Sequence, residues 1–378
     1  MDRKHEIDNL RWMMILLLFP FHAALCFDGG EFGGFFVWLH RNVYLHAFST
    51  FVYPWFMSLL FVLSGISARY SLSKRGTMGF FRERSKKLLL PLLLGMLLLV
   101  PPQTYIADLY WNHFDGTYLQ HLKTFFTKFT YFTGYDASFT PSHLWFLLYL
   151  YVYSLLLLPL RGLLSGVLGG ARRSASSGPM LLPPSMLRLP YPLLLLLFLP
   201  EYLFLPVLNI PSKSAGQYFF LFLCGYLFFF QEKVMAEAVR GRRISLVLFL
   251  SSGALYTWLW CGKYYMGIWM PLLYLFFGWC GILTLLGYGK KYWNRRNRVT
   301  AFLSKTAFSL YLLHMPVEVV LMYVIARTGW PDLVQFLAVT ILAFLLTMLL
   351  CIAWGSVQKK IFSRKRRKTA ALSSMNCV

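Results

Sequence analysis

One apolar stretch near the start of the sequence carries three polar residues at helical spacing: Asp8, Arg11 and His22. At about 100° and about 1.5 Å per residue, Arg11 and His22 lie within about 20° of one helix face and roughly 16 Å apart. Asp8 precedes Arg11 by three residues and shares that face. An imidazole can take a proton from a hydroxyl near neutral pH and return it to a leaving group. The spacing predicts a catalytic face; the alternative is a histidine bonded to a neighbouring helix and an arginine that only sets topology.

A second polar face lies in the apolar run AFSLYLLHMPVEVV (307–320). Tyr311, His314 and Glu318 follow i, i+3, i+7 spacing, and Pro316 can open the backbone beside them. Counted inward from the starts of the two apolar runs, Glu318 reaches a depth similar to that of His22. A carboxylate beside the imidazole would fix its tautomer and stabilise its charged form. Pairing of Glu318 with another buried donor stays open as the alternative.

Two further patches carry chemically useful side chains. Arg84 and Lys87 lie in FFRERSKKLLLP (80–91), directly before an apolar run, where they can bind phosphates or simply determine topology. His143 and Trp145 begin HLWFLLYLY (143–151), where they can line an acceptor site or anchor the chain at a membrane interface.

The composition shows what must position these residues. Of the 378 residues 58% are hydrophobic and only 13% are charged, which excludes an ordinary soluble protein. The net charge of +23 would suggest nucleic acid in a soluble chain, but here the basic residues form short clusters between apolar runs. We therefore expect a lipid bilayer and no nucleic acid. The six cysteines are scattered without metal-like spacing, so no metal is expected.

Ten segments approach the roughly 20 apolar residues that a membrane-spanning helix needs, which predicts an all-α polytopic bundle. The predicted spans are 10–27, 46–68, 88–110, 143–160, 190–208, 215–231, 244–261, 267–287, 301–326 and 331–356.

The basic residues alternate with these spans as the positive-inside rule requires. With a cytoplasmic N-terminus, all but six of the 37 basic residues fall on the cytoplasmic side. The exceptions are Arg41, Lys123, Lys128, Lys213, Lys263 and Arg327. We expect both termini in the cytoplasm and one transmembrane domain over 1–360. Within it, 162–189 reads as a flexible Gly-, Ser- and Pro-rich loop, and 361–378 as a basic tail.

Five short motifs occur in a fixed order: DNLR (8–11) followed by His22, then FVLSG (61–65), KLLLP (87–91), HLWFL (143–147) and FSLYLLHMP (308–316). Together they resemble the acyltransferase-3 family of integral membrane acyltransferases over roughly residues 5–320. Within that family the chain is most similar to the branch that contains the succinyltransferase of periplasmic glucans.

The resemblance implies O-acylation of an extracytoplasmic glycan or related hydroxyl acceptor from an acyl-CoA donor in the inner membrane of a bacterium. By that resemblance His22 matches the catalytic histidine and Arg11 its essential partner. We add Asp8 and Glu318 to the catalytic set. Donor binding is assigned to Arg84, Lys87, Tyr311 and His314, and acceptor binding to His143 and Trp145. A homodimer is compatible with the sequence.

Two other classes of protein share some of these features. In a transporter or flippase, Arg11, His22 and Glu318 would line a substrate or proton path. Inverted repeats would favour that class, and the sequence shows none that is convincing. A membrane scaffold without chemistry is disfavoured by ionisable residues within two apolar segments.

Overall fold

A computed structural model describes residues 4–29, 37, 39–129, 138–167, 189–210 and 213–375, and the described chain is almost entirely helical. The all-α fold class is therefore confirmed. The helices are α1 His5–Leu25, α2 Val43–Arg84, α3 Leu90–Leu98, α4 Val100–Trp111, α5 Tyr118–Thr127, α6 Trp145–Val167, α7 Tyr191–Leu195, α8 Phe198–Phe204, α9 Ala215–Cys224, α10 Glu232–Cys261, α11 Trp269–Tyr292, α12 Arg298–Ile325 and α13 Asp332–Met375. Short π-helical turns at Ser85–Leu89 and Gly225–Phe229, a 3₁₀ turn at Ser142–Leu144 and a two-residue hairpin, Asn209–Ile210 with Lys213–Ser214, complete the described elements.

Six helical stretches are long and apolar enough to cross a membrane: Val43–Trp111, Ser142–Leu160, Glu232–Cys261, Trp269–Tyr292, Arg298–Ile325 and Asp332–Ser356. The first of them, 69 residues long, covers two predicted spans and leaves helical geometry at Gly76, whose positive φ of 68° favours glycine. Two shorter apolar helices, Tyr191–Phe204 and Ala215–Phe229, occupy the fifth and sixth predicted spans. The protein is multi-pass, and the count of ten spans stays a prediction.

The first helix, α1, lies inside the bundle, although its polar residues make it less apolar than the six stretches that are long and apolar enough to cross a membrane. It packs against α2, α11, α12 and α13, and its residues Leu10, Leu18 and Phe19 are almost fully buried. A helix surrounded in this way exposes little of its polar face to lipid. The fold thus brings the predicted catalytic face of α1 against other helices.

A close helix crossing explains one of the sequence motifs. A Cβ atom on Gly65, the last residue of FVLSG, would lie 2.0 Å from the carbonyl oxygen of Phe222, and one on Gly225 would lie 2.0 Å from that of Val62. Two backbones can approach this closely only where both lack side chains. The crossing fixes α2 against the α9 segment.

One end of the bundle is tied together by a network of ion pairs. Lys4 Nζ lies 2.6 Å from Glu232 Oε1, and Lys290 Nζ lies 2.9 Å from Glu232 Oε2 and 3.2 Å from Glu6 Oε1. These residues belong to three segments that the positive-inside rule places on the cytoplasmic side.

Segments that were predicted to lie outside meet at the opposite end. Asp332 Oδ2 accepts a hydrogen bond from Asn42 Nδ2 at 2.7 Å, and Asp332 Oδ1 lies 2.8 Å from His40 Nε2. Arg41 donates to the carbonyl oxygen of Cys261 at 3.1 Å. These contacts bring together segments that were predicted to share one side of the membrane. Which end of the bundle faces the cytoplasm still rests on the positive-inside rule.

The proposed division into a domain, a loop and a tail remains a prediction. Most of the predicted flexible loop, 168–188, lies outside the described residues. The helix of α13 continues through the predicted basic tail as far as Met375.

Candidate active site

The polar faces of α1 and α12 meet in the interior of the bundle. His22 Nδ1 lies 3.2 Å from Glu318 Oε2; Glu318 is fully buried and the His22 side chain is 12% exposed. A carboxylate that accepts the Nδ1 proton leaves the imidazole lone pair on Nε2. The arrangement suits a base, because the carboxylate stabilises the imidazolium that forms when the imidazole takes a proton.

His314 lies directly against this pair. Its ring stacks on that of His22, with the centroids 5.1 Å apart and the planes at 11°. His314 Nδ1 lies 2.7 Å from the carbonyl oxygen of Tyr311, so Nδ1 carries the proton and Nε2 the lone pair. Within the described residues, His314 Nε2 and Glu318 Oε1 have no hydrogen-bond partner although both are buried. Two buried acceptors beside His22 can therefore receive donors from a bound ligand, such as a hydroxyl or an amide.

Pro316 explains how His143 joins the cluster. A proline has no N–H to offer the carbonyl of the residue four positions earlier, which here is Leu312. His143 Nε2 lies 3.1 Å from that carbonyl oxygen and donates to it. In return the Tyr311 hydroxyl donates to the carbonyl oxygen of His143 at 2.6 Å. The two exchanged hydrogen bonds hold the start of α6 against α12.

Trp145 belongs to a neighbouring aromatic group rather than to the histidine cluster. Its ring centroid lies 5.2 Å from those of Tyr149 and Tyr218, and Lys213 Nζ lies 5.5 Å from the ring. Phe61 of α2 stacks on Tyr218 at 4.6 Å. This aromatic group lines the side of α6 and α9 at the predicted outer end, and its part in acceptor binding stays a prediction.

Arg11 links α1 to α2 at the predicted cytoplasmic end. Its guanidinium donates to Asp8 Oδ1 at 3.1 Å and to Ser67 Oγ at 2.8 Å. About three helical turns separate Arg11 from His22, so Arg11 fixes the helix that carries the histidine and does not touch its ring.

Arg84 is the last residue of α2, and Lys87 lies in the π-helical turn that follows it. Lys87 Nζ is 2.8 Å from Glu83 Oε1, and its side chain is 69% exposed. The guanidinium carbon of Arg84 lies 4.8 Å from the ring centroid of Phe80. The i, i+4 spacing of Glu83 and Lys87 in the sequence predicts this ion pair. A role in donor binding stays a prediction for both cations.

A polar group on α4 and α5 was missed by the sequence analysis. His121 Nδ1 lies 2.9 Å from Asp108 Oδ2, and His121 Nε2 lies 3.0 Å from Thr104 Oγ1. Beside it, Gln103 Oε1 accepts from Ser142 Oγ at 2.8 Å, next to His143. The i, i+4 spacing of Thr104 and Asp108 in an apolar segment was the available signal. This group fixes the segment that precedes α6.

The central cluster is also compatible with a metal ion. His22, His314 and Glu318 each offer a ligand atom, and these atoms lie within 4.8 Å of one another. Two imidazoles and a carboxylate form a common catalytic zinc site. A bound metal would occupy the lone pairs that a general base needs, so the two uses of the cluster are exclusive.

Nearly the whole chain is similar to one family of acyltransferases. A family model described as an acyltransferase domain matches residues 4–353, which include all ten predicted site residues. No curated protein and no solved structure matches the chain. With nearly the whole chain covered by one match, the protein belongs to the acyltransferase-3 family.

Proposed function

We propose that the protein is a membrane O-acyltransferase that moves an acyl group from acyl-CoA to a hydroxyl of an extracytoplasmic glycan or related acceptor. The observation that carries the proposal is the buried pair of His22 and Glu318, 3.2 Å apart, in a chain of the acyltransferase-3 family. An imidazole paired with a carboxylate is the arrangement by which many acyl-transfer sites activate a hydroxyl.

The acyl group moves from the donor to the acceptor in one direct exchange. His22 Nε2 takes the proton of the acceptor hydroxyl while the hydroxyl oxygen bonds to the thioester carbonyl carbon. The carbon–sulfur bond breaks, the acyl ester forms, and the CoA thiolate takes the proton back from the imidazolium. Glu318 stabilises the imidazolium between these events. Positioned general base catalysis of this kind contributes about 10²- to 10⁴-fold to the rate.

The other residues receive positioning and binding roles. Arg11 and Asp8 hold α1 so that His22 faces α12, and Arg84 and Lys87 attract the anionic donor from the cytoplasm. Tyr311 and His314 hold the donor's reactive end, since His314 Nε2 lacks a protein donor within the described residues. His143 and Trp145 bind the acceptor at the outer side. We place the protein in a bacterial inner membrane with both termini inside, and we assign an acetyl- or succinyl-type acyl group.

The test uses purified protein in lipid nanodiscs with acetyl-CoA or succinyl-CoA and a glycan fraction from the host. CoA release is followed with a thiol reagent, and glycan masses are compared with a His22→Ala sample. We expect glycans that gain one acyl group only with wild-type protein. The proposal is refuted by unchanged glycan masses with both donors, or by equal acylation with the His22→Ala variant.

A further inference from the structure

A cleft opens where the first turn of α1 meets the start of α12. Its volume is about 270 Å³, and its walls include Asp8 and Asn9 of α1, Arg295 and Arg296 of the connection before α12, and Lys305 of α12. Small-molecule sites usually occupy about 300–1,000 Å³. The cleft is therefore large enough for one end of an extended ligand rather than for the whole of it.

The three cations of the cleft differ from two lysines at the same end of the bundle. Lys4 and Lys290 form ion pairs with the two carboxylates of Glu232 and Glu6. In the part of the chain that the structure describes, Arg295, Arg296 and Lys305 are exposed and form no ion pair. The positive-inside rule accounts for cations on this side, but it does not require three of them to line one cavity. Their fields add in a concave site, where they attract an anion more strongly than scattered charges do.

The connection that carries Arg295 and Arg296 is held in place by several hydrogen bonds. Asn9 Nδ2 donates to the carbonyl oxygens of Trp293 at 2.6 Å and Arg295 at 2.9 Å. Asn297 caps α12, with its Oδ1 accepting from the Thr300 N–H at 2.8 Å. Because this backbone is already ordered, only the two arginine side chains have to lose conformational entropy when a ligand binds.

The chemistry of the lining selects a phosphate-bearing ligand. A guanidinium group can donate two parallel hydrogen bonds to two oxygens of one phosphate, and a lysine adds a point charge. The N-terminal turn of α12 contributes the positive end of its helix dipole on the same side. Asp8, which lines the cleft, is bonded to Arg11 and lies on the face of α1 that leads to His22. Fourteen residues separate Asp8 from His22, or about 21 Å of helix, so a ligand anchored here reaches His22 only if it is long.

We propose that this cleft binds the phosphorylated nucleotide end of the acyl donor, with Arg295, Arg296 and Lys305 as its phosphate-binding cations. The inference rests on the proposed function, because it identifies the donor as an extended phosphorylated thioester. The phosphate of an anionic lipid headgroup shares this chemistry, and the experiment separates the two sources.

The experiment measures binding of CoA and of adenosine 3′,5′-bisphosphate to full-length protein in nanodiscs of phosphatidylcholine. The variant is Arg295→Gln/Arg296→Gln, and the matched control is Arg240→Gln/Arg243→Gln on α10, which removes the same charge outside the cleft. We expect the cleft variant to bind both ligands at least about tenfold more weakly, since a charge-assisted contact is lost at each position. The control should bind as wild type does. Size-exclusion profiles and melting temperatures check that both variants are folded.

Three outcomes overturn the assignment. Unchanged affinity of the cleft variant for both ligands removes the cleft from donor binding, and an equal loss in the control shows a general charge effect. In nanodiscs that contain phosphatidylglycerol, a loss of lipid retention with CoA affinity intact identifies a lipid site. If the cleft variant loses CoA binding but wild-type protein acylates no acceptor, the assignment of the cleft as a CoA-binding site is supported and the proposed acyltransferase function is refuted.

Discussion

Replacement of Glu318 by glutamine isolates the contribution of the carboxylate to the chemistry at His22. Glutamine has nearly the same volume, so the packing of the fully buried side chain is retained. The change replaces the carboxyl group, whose Oε2 lies 3.2 Å from His22 Nδ1, with a neutral amide that cannot become a carboxylate. A hydrogen bond to a charged group contributes about 1.5–3 kcal/mol, and this contribution is realised when the imidazole becomes charged. At about 1.4 kcal/mol per factor of ten, kcat should fall roughly 10- to 150-fold.

The assay compares Glu318→Gln with His22→Ala in the same nanodiscs. The alanine variant should lose more activity, about 10²- to 10⁴-fold, because it lacks the base itself. CoA affinity should be unchanged in both variants, since the base and its carboxylate act on the chemical step. A glutamine variant with wild-type kcat would contradict the role of the carboxylate. Loss of CoA binding in either variant would show that the pair holds the donor instead.

The remaining predictions concern packing, metal and protonation. Gly65→Ala should lower the melting temperature or prevent folding, because the new Cβ would meet the carbonyl oxygen of Phe222, whereas Gly355→Ala, with nothing within 4 Å, should have little effect. Elemental analysis should find less than one zinc per chain and dialysis against a chelator should preserve acyl transfer; stoichiometric zinc that is required for activity would contradict the role of His22 as a base. Burial lowers the pKa of Lys213 from 10.5 to about 8, so the folded protein releases this proton before the unfolded chain does. Stability should therefore rise from about pH 8 to pH 10.5 relative to Lys213→Met, which melting temperatures across that range will check.

The two helix faces could be predicted because polar residues inside apolar runs are rare and their spacing is periodic. Asp8, Arg11 and His22 lie on α1, and Glu318 lies on α12 beside His22, as their similar depths suggested. Such predictions use only the geometry of single helices and the thickness of a membrane.

The remaining contacts depend on the packing of segments that are far apart in the sequence. Nothing local to His143 indicates that its ring donates to the carbonyl of Leu312, because that bond requires the 3₁₀ turn before α6 to meet α12. The pair of Asp108 and His121 likewise joins two helices whose relative placement no periodicity defines. The cleft cations were read from the sequence only as part of a topology pattern, since convergence is a property of the fold.

Pro316 also bears on any attempt to stabilise the protein for crystallisation. Helix propensity alone predicts that Pro316→Ala would gain up to about 3 kcal/mol. That substitution would return a backbone N–H to α12, and the new N–H would compete with His143 for the carbonyl of Leu312. A buried imidazole N–H without a partner costs about 1–3 kcal/mol, which cancels much of the gain. Pro316 leaves the carbonyl of Leu312 available for the hydrogen bond from His143. A stabilisation screen should therefore keep the proline and vary lipid-facing positions instead, such as those of α13.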